Sequence, residues 1–178
     1  MTNIFLSHSM YDEEVANRLR NQLEQMKTVK VYMFEHDQQP GAMIADKIEK
    51  EIKNSSIVLV LLTTNSKDAN FVNQEIGCAK GANIPLIALV QSGIDKNKLG
   101  FLSGVEYIPF EPSNLDRSIS YAQTYIHNHN INQLQSQIQH EQLNAKQRQD
   151  QIQREQLIEG ILLLVIIGLC LYVMTQEG

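Results

Sequence analysis

Phe71 and Glu75 are the pair best suited to chemistry in this sequence: an aromatic ring and a carboxylate four residues apart, hence on one face of a helix. They follow a bare apolar run, Ile57-Val58-Leu59-Val60-Leu61-Leu62, and the polar stretch that begins at Thr63. Ser7 and His8 end another short apolar run and offer a hydroxyl and an imidazole. Adjacent residues at a strand end point to opposite faces, and no nucleophile-elbow glycines flank Ser7, so this dipeptide reads as loop capping rather than a nucleophile with its base. No Gly-rich phosphate cradle follows it, which disfavours ordinary kinase and Rossmann dehydrogenase chemistry. The histidines (His8, His36, His127, His129 and His140) have no ligand spacing with cysteines or carboxylates, so no metal site is expected.

The elements that must position these groups alternate in type. Asn3 to Leu6 reads as a strand. Ser9 with Asp12 three residues on gives a capping-box pattern ahead of a helical face of Val15, Ala16, Leu19, Leu23 and Met26. Val29 to Phe34 is a second strand, and Glu35 to Gly41 is a polar loop ahead of a helix carrying Ile44, Ile48 and Ile52. The run Ile57 to Leu62 has no polar face to show to water, so it must be a central strand covered on both sides. Further strands are expected at Ile84 to Val90 and Val105 to Phe110, with a closing helix over Asn114 to His127. Strands alternating with helices predict an α/β fold, a flavodoxin-like five-stranded parallel sheet in order 2-1-3-4-5. Its switch point lies between strands one and three, where the loops at Ser7-His8-Ser9 and Thr63 to Phe71 meet.

Beyond this domain, taken as residues 1–128, the composition changes. Residues 129–157 are rich in Gln and predict a solvated helix or a disordered linker; as a helix the segment is a stalk about 40 Å long at ~1.5 Å per residue. Ile131, Ile138, Ala145 and Ile152 form an a-like row, while the matching row degrades to Leu134, Glu141, Arg148 and Glu155, a half-formed coiled-coil seam for weak pairing. Residues 158–175 are almost wholly apolar and predict one transmembrane helix, followed by a short tail, 176–178. Lys146, Arg148 and Arg154 precede this run, so the positive-inside bias predicts a single-pass C-terminal anchor with the domain facing the cytoplasm. No cleavable signal is expected at the N-terminus. Cys78 and Cys170 lie in environments that should not meet, consistent with a reduced setting. A net charge of −5 without a basic stripe argues against a nucleic-acid partner.

Phe5-Leu6-Ser7-His8-Ser9 with Asp12, the loop ending Pro40-Gly41 before Ile44 and Ile48, Ser55-Ser56 with Val58 to Leu62, and Phe71-x-x-x-Glu75 resemble a TIR domain in order and spacing. The resemblance runs from roughly Thr2 to His127. It implies a BB loop used in self-association, here Glu35, Asp37, Pro40, Gly41 and Met43. In the enzymatic members of the family it implies cleavage of NAD+ at the nicotinamide glycosidic bond, with NAD+ as substrate and no permanently bound cofactor. Their Trp-x-x-x-Glu motif carries the catalytic glutamate, which matches Glu75, with Phe71 at the tryptophan position. Phe34 stands where many relatives carry an acidic residue, and Glu35 follows one position later.

That chemistry suits one carboxylate. Loss of a cationic nicotinamide leaves an electron-poor ribosyl centre, which a nearby carboxylate stabilises, and so good a leaving group needs no general acid. Phe71 is expected to pack on the ribose or the nicotinamide, with Ser7, His8 and Thr63 meeting polar parts of the nucleotide. The resemblance implies a membrane-anchored NAD+ glycohydrolase or ADP-ribosyl cyclase that self-association activates, in a prokaryotic defence response, working with a TIR-containing or nucleotide-sensing partner. Two other readings remain open: a signalling scaffold that breaks no bond, and a membrane-perturbing effector driven by oligomerisation.

Overall fold

The structure, a computed structural model, describes residues 1–34, 44–66, 70–95, 97 and 99–176. It divides into two units, Met1–Asn128 and His129–Gly178. In the first, β1 (Thr2–Ser7), β2 (Val29–Met33), β3 (Ile57–Leu62), β4 (Leu86–Gln91) and β5 (Ile108–Phe110) form one parallel sheet in the order β2-β1-β3-β4-β5. The predicted sheet order is therefore the observed one. The crossovers are α1 (Glu13–Glu24), α2 (Ile44–Lys53) and α3 (Asn70–Gly81), and α4 (Leu115–Gln176) follows β5.

Every residue of β3 is buried, because helices cover both faces of the sheet. Ile57, Leu59 and Leu61 pack with Ala16, Leu19 and Leu23 of α1 and with Leu115, Ile119 and Ile126 of α4. Val58, Val60 and Leu62 pack on the opposite face with Ile48 and Ile52 of α2 and with Val72, Ile76 and Ala79 of α3. This period-two division of one strand between two cores is what its continuous apolar sequence required.

The start of α1 differs from the capping-box expectation. Ser9 caps a 3-10 turn, Met10–Asp12, by accepting a hydrogen bond from the Tyr11 backbone N–H at 3.3 Å, and α1 proper begins at Glu13. The Asp12 side chain makes no hydrogen bond to the helix end. β4 and β5 also start later than their apolar runs, at Leu86 and Ile108.

The second unit is helical through Gln176. Ile131, Leu134, Ile138 and Ile152 of the expected seam are exposed. Among the described residues no helix is long and apolar enough to cross a membrane, which overturns the single-pass anchor and the membrane location expected from residues 158–175. The physical reason is the shortness of the apolar run. The uninterrupted apolar run, Gly160 to Met174, is shorter than the about 20 predominantly apolar residues that a span needs, and Glu159, Glu155 and Arg154 stand before it.

Candidate active site

Glu75 occupies a position that the helix period assigns to the core. On α3 the buried stripe is Val72, Glu75, Ile76 and Ala79, so the carboxylate stands where an apolar side chain would complete the face packed on the sheet. Its relative exposure is 4%. The buried hydroxyl of Ser7, at the carboxyl end of β1, donates to Glu75 Oε2. Burial pushes the Glu75 carboxyl up to about 7, and the Ser7 hydrogen bond holds it back from rising further.

In front of this group is a cavity of about 360 Å³, with Leu6, Val72 and Glu75 lining it together with His8, Ser9, Met10 and Tyr11 from the segment after β1 and Phe34, Ile44 and Phe71. Phe71 is 40% exposed, and its ring lies 6.2 Å from that of Phe34 at an interplanar angle of 43°. Two aromatic rings, a thioether and a phenol thus surround one buried carboxyl at the carboxyl ends of β1 and β3, the switch point of the sheet. Such a cavity suits a flat ring with a developing positive charge beside it. A larger cavity of about 510 Å³ lies against β5 and the first turns of α4. It contains none of the residues singled out from the sequence, so the assignment follows the chemistry rather than the volume.

Of the sequence-derived candidates, Glu75, Phe71 and His8 line the smaller cavity, and Ser7 meets it through Glu75. His8 Nδ1 donates to the Leu6 backbone oxygen at 3.3 Å. Thr63 is placed differently: it is buried, and its hydroxyl is turned to Asp12 rather than into the cavity. Glu35, Asp37, Pro40, Gly41 and Met43 lie outside the described residues. Phe34, Met10, Tyr11 and Ile44 were not anticipated as site residues. Phe34 carried a signal, since an aromatic in the loop-entry position after a strand lies at the ligand-binding end of the sheet. Among the described residues no three His, Cys, Asp or Glu side chains are grouped to hold a metal ion.

The TIR domain family model matches residues 4–124. The chain belongs to the TIR domain family. A search of curated protein sequences finds no match. Similar solved structures include the TIR domains of the activated Roq1 resistosome recognizing the pathogen effector XopQ, at TM-score 0.57 and 12% identity over 71% of this chain and 99% of that one. The TIR domain of the Toll-related receptor TRR-2 from Hydra magnipapillata has TM-score 0.56 and 18% identity, covering 73% of this chain and 99% of its own. The CMP N-glycosidase BcmB of Clostridium botulinum has TM-score 0.50 and 16% identity, covering 69% and 98%. At these identities the likeness concerns the fold of the TIR domain.

Proposed function

We propose that this TIR domain cleaves the N-glycosidic bond between nicotinamide and ribose in NAD+, with Glu75 as the catalytic carboxylate. The observation that carries the reading is a buried carboxyl in an apolar helical stripe, hydrogen-bonded to Ser7 and facing a cavity rimmed by Phe71 and Phe34. An N-glycosidase among the proteins that share the fold supports it.

In this mechanism the C1′–N bond breaks and its electron pair leaves with nicotinamide, which departs neutral. The ionised Glu75 stabilises the positive charge that develops on the ribosyl ring. Water, or the adenine of the same molecule, then supplies the pair that forms the new bond to C1′, and water loses a proton in doing so. Phe71 and Phe34 bracket the nicotinamide or the ribose, and His8 lies at the wall. A cavity of about 360 Å³ takes one nucleoside half of the dinucleotide, and the other half extends over the rim near Met10 and Tyr11. Self-association of TIR domains raises the working concentration of such sites, which suits a defence response triggered by clustering. A resistosome containing TIR domains of this fold is in keeping with that arrangement.

The deciding experiment follows NAD+ loss and nicotinamide release by mass spectrometry for the full chain at high concentration, beside Glu75→Gln. Turnover that disappears in Glu75→Gln is expected. Equal turnover in both removes Glu75 from the mechanism. Absence of turnover in either, with TIR-dependent self-association intact, favours the scaffold reading.

A further inference from the structure

Asp12 is a buried carboxylate that the mechanism above does not use. Its relative exposure is 4%, and it sits at the end of the turn whose Met10 and Tyr11 wall the cavity. Although it stands at the N-cap of α1, it makes no capping hydrogen bond there. Instead its side chain reaches the loop after β3: Thr63 Oγ1 lies 2.8 Å from Oδ2 and 2.9 Å from Oδ1, and Asn65 Nδ2 donates to Oδ1 at 3.4 Å. That loop is itself stiffened. The Thr63 backbone N–H donates to Ser66 Oγ at 2.9 Å, and the Asn65 backbone N–H donates to Thr63 Oγ1 at 3.0 Å. On the turn side, the Asp12 backbone N–H donates to the Ser9 carbonyl at 2.8 Å.

Two braces therefore tie β1 and the turn after it to the elements that follow β3: Ser7 at the end of β1 to Glu75 on α3, and Asp12 in the turn to Thr63 just after β3. The first involves the working carboxylate itself, so it changes whenever Glu75 titrates or meets substrate. The second contains no group assigned to the reaction. A buried carboxylate held by a hydroxyl and an amide is worth its desolvation only where its hydrogen bonds are kept, so it fixes the geometry of both loops strongly.

We propose that Asp12 is a positioning residue, whose bonds to Thr63 and Asn65 hold the Ser9–Tyr11 turn as the wall that orders the substrate and keeps bulk water from Glu75. The proposal rests on the assignment of Glu75 as the working carboxylate. The titratable groups that line cavities with Glu75 are His8 and Tyr11 after β1, Glu49 and Lys53 on α2, and Cys78 on α3; Asp12 acts through the wall rather than through its charge.

The test compares the full chain with Asp12→Ala, Asp12→Asn and Thr63→Val, reading KM and kcat for NAD+ at pH 8 and the NMR titration midpoint of the Glu75 carboxyl. Loosening the wall is expected to raise KM on the order of tenfold at nearly constant kcat, since small misplacements of positioning groups act strongly on bound geometry. The Glu75 midpoint should fall from about 7 toward its ordinary 4.5 as water enters. Asp12→Asn, which keeps an acceptor of the same shape for the Thr63 hydroxyl, should restore most of both. A brace that only stabilises the fold lowers the melting temperature and leaves KM and the Glu75 midpoint in place, which overturns the proposal. If Asp12→Ala does not fold, Thr63→Val decides by the same two readouts. If the unaltered chain turns over no NAD+, the proposed activity fails, and the Glu75 midpoint alone decides the role of Asp12: an unmoved midpoint overturns it.

Discussion

The hydroxyl of Ser7 donates to Oε2 of Glu75, a bond between residues 68 positions apart in the chain. It closes the sheet's switch point, because Ser7 ends β1 while Glu75 stands on the helix that follows β3. Among the described residues it gives a carboxyl in an apolar stripe its one strong polar partner, so the properties of Glu75 depend on the end of β1 and α3 staying together.

NAD+ cleavage should rise with pH through about 7, because only the ionised Glu75 stabilises a developing cation and burial holds its titration there. At pH 5 the ionised fraction, and with it kcat/KM, should be about one-hundredth of the plateau above pH 8. A kcat/KM profile flat from pH 5 to pH 8 would contradict the role of the ionised carboxylate.

The same burial has a stability consequence of defined sign. The Glu75 pKa is raised in the folded chain, from 4.5 to about 7. Below pH 4.5 the group is protonated folded or unfolded and exacts no penalty. As the pH climbs from 4.5 through 7, the unfolded chain ionises first and the folded state loses stability, by about 3 kcal/mol at most. Glu75→Gln lacks this loss. Denaturant titrations at pH 5 and pH 8 should show the variant gaining relative to the unaltered chain at the higher pH, and a constant difference would mean that Glu75 is hydrated.

Ser7→Ala removes the interaction that lowers the Glu75 pKa and leaves the desolvation that raises it. The acid limb of the activity profile should therefore move to higher pH. Activity at pH 7 should drop while activity at pH 9 returns close to that of the unaltered chain. A variant equally impaired at both would assign Ser7 to substrate contact instead.

How far the sequence foretold this site depended on whether a feature was local. Phe71 and Glu75 share a face through a spacing visible in the chain, and β3 announces its burial on both sides by six consecutive apolar residues. Asp12 misled for the opposite reason. Its spacing from Ser9 matched a local cap, yet its side chain answers to Thr63, 51 residues on, a pairing set by which strand ends meet across the sheet. Phe34 could be placed at a strand end from its sequence, but its meeting with the Phe71 ring depends on two separate crossovers converging. The C-terminal run has the apolar centre of a span, but Glu159, with Glu155 and Arg154 before it, limits the length that counts.

Phe71 and Phe34 together make the apolar half of the site, and their contributions should separate in kinetics. Phe71 is partly exposed at the cavity mouth and Phe34 packs against it, so truncating Phe71 removes a face for the substrate while truncating Phe34 removes the support of that face. Phe71→Ala should raise KM for NAD+ roughly threefold to tenfold, as expected for the loss of one aromatic contact of about 0.5–1.5 kcal/mol, with little change in the pH at which Glu75 titrates. Phe71→Trp offers a broader ring at the same helical position and should keep KM at or below that of the unaltered chain. Phe34→Ala should give a smaller KM effect that vanishes in the Phe71→Ala background, because the two rings act on one surface. Full additivity of the two changes, measured as KM in the double variant, would show that Phe34 meets the substrate independently.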